Sequence, residues 1–232
     1  MTPEELAEIH PRLYHVAAPT ALAGIKRHGL LSARELASKF QLSGERRRAV
    51  LERIRPRAIT VSHPEHGEAE INDNSPLSEA ALLKCLDDEL TPSDWLSQLN
   101  RRVFFWADQS GLESLLRARF NRDRERLVLV FDTLSLARRY ANKIEISPIN
   151  SGSTIRRPAR RGRGTFSSLE AFSYQEWRRL RGRLDKIKEV TVLDRVEHAE
   201  SMIVDSYRTV GVTPILGNSE SALDSNLVAK RL

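Results

Sequence analysis

Glu189 stands at the head of a β-branched run, Lys188-Glu189-Val190-Thr191-Val192. A carboxylate opening an otherwise apolar strand can act as a general base or stabilise a developing positive charge. Before it runs Pro148-Ile149-Asn150-Ser151-Gly152-Ser153-Thr154, and then Arg156, Arg157, Arg160, Arg161 and Arg163 around Gly162, Gly164 and Thr165, up to Phe166. Guanidinium groups in such density suit bidentate contacts to phosphate. The segment is too polar for core and too rich in Arg and Gly for a helix, so it reads as a loop. The chemistry expected is that of a carboxylate working beside a polyanion. The plainer alternative is a solvated basic loop and a surface glutamate.

The other residue types narrow the choice. The histidines are His10, His15, His28, His63, His66 and His198. His63 and His66 are three apart with acids nearby, but no third ligand stands at metal spacing, so no metal centre is expected. No Gly-x-Ser-x-Gly supports Ser-His-Asp catalysis. No Gly-x-Gly-x-x-Gly follows a strand and no Gly-x-x-x-x-Gly-Lys-Ser/Thr occurs, which argues against Rossmann and P-loop nucleotide sites. His15 follows Tyr14 on a short strand; by itself it is either a satisfied half-buried histidine or a ligand-binding one. Cys85 is the one cysteine, in an apolar helical run, and is expected to be a small buried hydrophobe.

The 232 residues are ample for a real core, and 40% hydrophobic with 29% charged residues is a soluble, globular balance. Net charge is +6 and the isoelectric point about 9.8. The excess is clustered Arg, including Arg46, Arg47 and Arg48, which points to nucleic acid or another polyphosphate as partner. An ordinary basic enzyme would show the same balance. No apolar run reaches membrane-spanning length and Met1-Thr2-Pro3-Glu4-Glu5 is not signal-like, so a cytoplasmic protein without a membrane partner is expected.

The elements that must position these groups follow from caps and periodicity. Thr2 and Pro3 start a helix over 3–10. Residues 12–16 form a strand, 19–28 a helix stopped by Gly29, and Ser32-x-x-Glu35 caps a helix ending near Phe40. A very basic helix covers 43–55 and ends at Pro56. Residues 59–61 suit a brief strand and 63–75 a loop. Ser78 caps a helix to about Glu89, and Thr91-Pro92-Ser93-Asp94 starts another. Residues 33–100 thus read as a mostly helical insertion outside the sheet. Strands near 12–16, 103–107, 127–131, 144–147, 188–193 (reaching Val196) and 203–209 should share one sheet region. Asp108, Asp132 or Thr133, and Ser173 cap the helices between them. From Gly211 the chain reads as a frayed tail, 211–232, after a single domain over 1–210. The class is α+β with a central mixed or antiparallel sheet.

Leu13-Tyr14-His15-Val16, then Ile25-x-x-His28-Gly29-Leu30-Leu31, resembles the opening of the ADP-ribosyltransferase superfamily, nearest to the DNA-targeting DarT-like toxins and the RNA 2′-phosphotransferases. Val103-Phe104-Phe105-Trp106 is similar to their aromatic-rich strand. Glu189-Val190-Thr191-Val192 is similar to the strand on which DarT-like enzymes carry a catalytic glutamate. Residues 12–210 also resemble an uncharacterised bacterial family through Arg-Arg-Val-Phe-Phe-Trp, Ser-Pro-Ile-Asn-Ser-Gly-Ser-Thr and Arg-Gly-x-x-Thr-Phe. The chain departs from the superfamily pattern in its long 33–100 stretch, and its NAD-binding segment after the first Gly-Leu is not identifiable.

The resemblance implies a split central sheet of ADP-ribosyltransferase type and transfer of ADP-ribose from NAD, used as a substrate, to a nucleic acid, DNA or RNA, by a toxin or defence effector with an antitoxin partner. It implies Glu189 and His15 as catalytic residues, with Tyr14, His15, Trp106, Ser151 and Thr154 around the NAD. Arg157, Arg160, Arg161, Arg163, Arg46 and Arg47 would meet the nucleic acid. Glu200 is the rival acid. A 2′-phosphotransferase-like activity on RNA and a catalytically inactive nucleic-acid-binding module are the competing functions. They separate on one point of geometry: an enzyme needs His15 and Glu189 on one cleft.

Overall fold

The computed structural model describes residues 1–181 and 186–215. Among these residues the elements in chain order are α1 (Pro3–Ile9), β1 (Arg12–Ala17), α2 (Leu22–His28), β2 (Leu30–Leu31), α3 (Ala33–Lys39), α4 (Gly44–Leu51), β3 (Ile59–His63), β4 (Gly67–Ile71), α5 (Glu79–Cys85), α6 (Pro92–Asn100), β5 (Arg102–Trp106), α7 (Gln109–Arg117), β6 (Glu125–Asp132), α8 (Thr133–Tyr140), β7 (Ile144–Ser147), β8 (Ser167–Ser168), α9 (Tyr174–Arg181), β9 (Glu189–Leu193), β10 (Arg195–Val196), β11 (Ile203–Val210) and β12 (Thr213–Pro214). The protein is α+β.

One eight-stranded sheet runs β12-β11-β6-β1-β5-β9-β7-β8, antiparallel at every pairing. The six strand regions read from sequence all lie in it. Caps act as their residue types require. Thr2 and Thr91 form capping boxes with Glu5 and Asp94, and the side chains of Ser32, Asp108 and Asp132 accept from the first turns of α3, α7 and α8.

The pleat assigns the faces. Leu13, Phe105, Phe131, Val190 and Ile146 fall on one side, in the largest core, with Leu136, Trp177 and Leu6 of the covering helices. On the other side Phe104 joins Trp95, Leu96, Leu99 and Phe166 in a second core under α5 and α6. Tyr14, Val16 and Trp106 pack under Leu112 and Leu116 of α7 in a third. Two separate clusters therefore cover this face; Tyr14 and Trp106 belong to the one under α7, and Glu189 follows them in the same cross-strand row.

Four expectations change. The 33–100 insertion is not mostly helical, because β3 and β4 form a hairpin where 63–75 read as a loop. Gly-Glu-Ala-Glu-Ile has little strand propensity, yet Ala69 and Ile71 complete a core with Phe40, Val50 and Val61. The basic helix stops at Leu51, leaving Arg55 in an irregular, buried position. The strand expected to reach Val196 ends at Leu193. Asp194, at φ 63, turns the chain so that Arg195–Val196 pairs with Leu30–Leu31 in a second sheet. Gly29 is needed at that junction: its φ is 75 and an added Cβ would lie 2.3 Å from the Val196 carbonyl oxygen. Finally, Thr213–Pro214 pairs with Thr209 and Val210, so the first residues of the expected tail form a hairpin; 216–232 lie outside the described residues. Among the described residues no helix is long and apolar enough to cross a membrane.

Candidate active site

β1 and β5 are sheet neighbours, yet their register holds one residue pair, Tyr14 with Trp106. Beyond it, toward Ala17 on β1 and Arg102 on β5, the strands part. A cleft of about 540 Å³ opens there, and His15, Trp106, Ser151 and Glu189 all line it. Its far walls come from α2 and from residues 68–77.

Glu189, first residue of β9, lies opposite Trp106 on one side and Ser147 on the other. Directly opposed residues in an antiparallel ladder share a face. Tyr14, Trp106, Glu189 and Ser147 therefore form one row across the sheet. His15, one residue on from Tyr14, belongs to the opposite side of the pleat, where its ring tilts against Phe105 with centroids 5.7 Å apart. Its Nδ1 lies 2.9 Å from the carbonyl oxygen of Phe104. A carbonyl only accepts, so Nδ1 carries the proton and Nε2 presents a lone pair. The imidazole thus satisfies a carbonyl that the parted strands leave without a ladder partner. Because the gap passes through the sheet, residues from both faces reach one cleft.

Glu189 is 5% exposed. Burial pushes its carboxyl up to about 7, against the lowering effects of Ser151 and of the Arg161 guanidinium. The Ser151 backbone N–H donates to both carboxylate oxygens, at 3.1 and 3.2 Å. A carboxyl that titrates near neutrality, held by one backbone donor in a cleft, can take up and release a proton at working pH. Burial also lowers the pKa of His15, keeping its ring neutral.

The other residues singled out by sequence divide. Tyr14 and Trp106 are half-buried on the Glu189 row, and Trp106 lines the cleft. Ser151 is fully buried and serves through its backbone. Thr154 does not line the cleft: its hydroxyl donates to the Pro76 carbonyl at 3.1 Å and accepts from the Ser78 N–H at 2.9 Å, tying the loop to the start of α5. Arg161 is corrected most plainly. It is 2% exposed, donates to the carbonyls of Ser151 (2.9 Å), Ser153 (2.9 Å) and Ala159 (3.1 Å), and lies over Trp95. It is core and cannot reach a polyanion. Arg160 is exposed but paired with Asp87, and Arg157 and Arg163 face solvent. Arg46 is exposed; half-buried Arg47 donates weakly to Ser38. Glu200 is exposed beside His198 at 3.7 Å and does not line the cleft.

Two features escaped the sequence reading. Arg55 lines the cleft buried, with Nε donating to Asn72 and Nη1 to Val50 and Asn100; burial brings its pKa down to about 10. The available signal was Pro56, which turns the preceding residue out of a helix. The expectation that His63 and His66 lack a third ligand is also corrected. Glu65 supplies one, and ligand atoms of the three lie within 4.8 Å of one another.

Residues 11–203 match the model of a family described as a family of unknown function (DUF7002), and the chain belongs to that family. No curated protein and no solved structure matches the chain.

Proposed function

We propose that this chain is an NAD-dependent ADP-ribosyltransferase that modifies a nucleic acid, acting in the cytoplasm as a toxin or defence effector. The observation that carries the proposal is the meeting of His15 and buried Glu189 at the cleft where β1 and β5 part. In this reading the sheet is a split sheet of ADP-ribosyltransferase type, its halves β12-β11-β6-β1 and β5-β9-β7-β8 joined at Tyr14 and Trp106.

His15 Nε2 accepts from a ribose hydroxyl, and Trp106 flanks the nicotinamide; Tyr14, packed under α7, does not line the cleft. Ionised Glu189 accepts from the 2′-hydroxyl of the nicotinamide ribose and stabilises positive charge gathering at C1′. The C1′–N bond breaks and its electron pair leaves with neutral nicotinamide. A lone pair of the acceptor forms the new bond to C1′, and the acceptor's proton passes to Glu189. Ser151 keeps the carboxylate oriented throughout.

Labelled NAD incubated separately with DNA, RNA and protein should leave label on nucleic acid. Glu189→Gln should keep the fold and most NAD affinity while losing roughly 10²-fold or more of transfer. His15→Ala should weaken NAD binding, and Glu200→Gln should remain active. Loss of transfer in Glu200→Gln alone would move the catalytic acid. Absence of label on every acceptor, with nucleic acid still bound, would leave a binding module in place of an enzyme.

A further inference from the structure

Three histidines outside the proposed reaction, His28, His63 and His66, meet at the tip of the β3–β4 hairpin. His63 pairs with Gly67, leaving Pro64-Glu65-His66 as a three-residue turn. Gly67 takes φ 73, the left-handed position such a turn requires. The turn therefore places an imidazole, a carboxylate and a second imidazole around one point, with their ligand atoms within 4.8 Å of one another. The Glu65 N–H donates to His63 Nδ1 at 3.2 Å, so Nδ1 holds that ring's lone pair, and an ion would take the place of this long N–H contact.

The His66 ring is held from three sides. It stacks on His63 with centroids 4.5 Å apart, meets Phe40 edge-on at 6.1 Å, and meets His28 edge-on at 5.6 Å. His28 ends α2, and its Nε2 is buried without a hydrogen-bond partner. A buried ring nitrogen with no partner loses its hydration for nothing in return, unless something else fills the position. His28 borders the ligand set of the turn without belonging to it. His63, Glu65 and His66 offer two imidazoles and one carboxylate, ligand types and a number that suit Zn²⁺ and related first-row ions with a fourth position left to solvent.

We infer that the hairpin tip is a divalent-metal site, with His63, Glu65 and His66 as ligands from the turn. The site lies where two walls of the cleft meet, since His66 touches His28, which lines one wall, and Glu68, Ala69 and Glu70 line another. Its role is to fix the hairpin tip that packs against α2 through His66 and His28. Lys39 lies close enough to act on both His28 and His66, and its charge opposes the ion's.

The test uses the full chain, untagged and stripped with EDTA, titrated with Zn²⁺ by calorimetry and with Co²⁺ by visible absorption. One equivalent of Zn²⁺ should bind, and Co²⁺ should show the intense bands of a tetrahedral site. His63→Ala and His66→Ala should each weaken binding by more than about 10²-fold, beyond the range of an outer-shell change. His66→Gln covers the case in which the alanine variant fails to fold. His28→Ala, beside the site but outside its ligand set, should weaken binding by less than about 10²-fold, Lys39→Gln should tighten it, and His198→Ala should leave it unchanged. The site is refuted if the wild-type chain shows no saturable binding, or if folded His63→Ala and His66→Gln variants bind as it does. None of these readings depends on transfer activity.

Discussion

At the scale of single residues, Glu189 controls both a stability profile and a rate profile. Its carboxyl ordinarily titrates near 4.5 and burial raises it to about 7. Between those values the folded chain holds a proton that the unfolded chain has released, so stability falls as pH rises through that window. The cost is fully present above the folded value. At about 1.4 kcal/mol per unit it is on the order of 3 kcal/mol. Glu189→Gln keeps an acceptor for the Ser151 N–H and cannot ionise. Wild type and variant should unfold alike in urea at about pH 4, and the variant should be the more stable at about pH 8. A variant clearly weaker than wild type at the higher pH would mean that the ionised carboxylate stabilises the fold. If Glu189 acts ionised, transfer by the wild type should also climb as pH rises through about 7.

At the scale of elements, the 148–166 loop is positioned by one buried cation. Arg161 satisfies the carbonyls of Ser151, Ser153 and Ala159, and Ser151 in turn fixes Glu189. The bridge between Leu86 and Arg161 and the Asp87 N–H to the Arg161 carbonyl, at 2.8 Å, hold the loop to the end of α5. Arg161→Met would remove the donor from three carbonyls, leaving only Ser151 a second, long contact from Trp95 Nε1, at about 1–3 kcal/mol for each that finds no other partner. Urea unfolding should show a loss of about 3 kcal/mol or more, against about 0.5 or less for Arg157→Ala or Arg163→Ala. Near-equal losses across the three would place the loop's anchor elsewhere. The hairpin β3–β4 shows the same dependence on context. Its second strand has little propensity of its own, yet it closes the core around Phe40 and Val61, and the hairpin carries Glu65, His66 and part of the cleft wall.

At the scale of the whole molecule, a net charge of +6 draws polyanions, but burial withdraws Arg55 and Arg161 from that surface. Among the described residues, the exposed cations in the loop and just before β9 include Arg156, Arg157, Arg163, Lys186 and Lys188, with Arg160 spent on Asp87. Lys186 and Lys188 border a second cavity, about 360 Å³, that shares Trp106 and Asn150 with the main cleft. Replacing Arg157 and Arg163 together should weaken binding to duplex DNA and reduce its log–log salt slope by about 0.9 for each phosphate no longer neutralised. An unchanged affinity and slope would remove this face from the interface.

Local pattern alone determined six strand regions of the large sheet and most helix starts. A run such as Leu127-Val128-Leu129-Val130-Phe131, or Thr91-Pro92-Ser93-Asp94, carries its own periodicity or its own cap, and needs no distant partner to be read. The same is true of Glu189 at the head of its strand and of His15 after Tyr14, which residue type and position mark out. The tertiary structure decided everything that depends on what lies opposite. It parted β1 from β5 after one residue pair, made Gly67–Ile71 a strand, and brought His28 to a turn far along the chain. It also decided which arginines are surface. A guanidinium binds phosphate or backbone carbonyls equally well, and Arg161 became core because the loop's own carbonyls closed around it and excluded water. The raised pKa of Glu189 has the same origin, since burial comes from the cores packed around it and not from its neighbours in sequence.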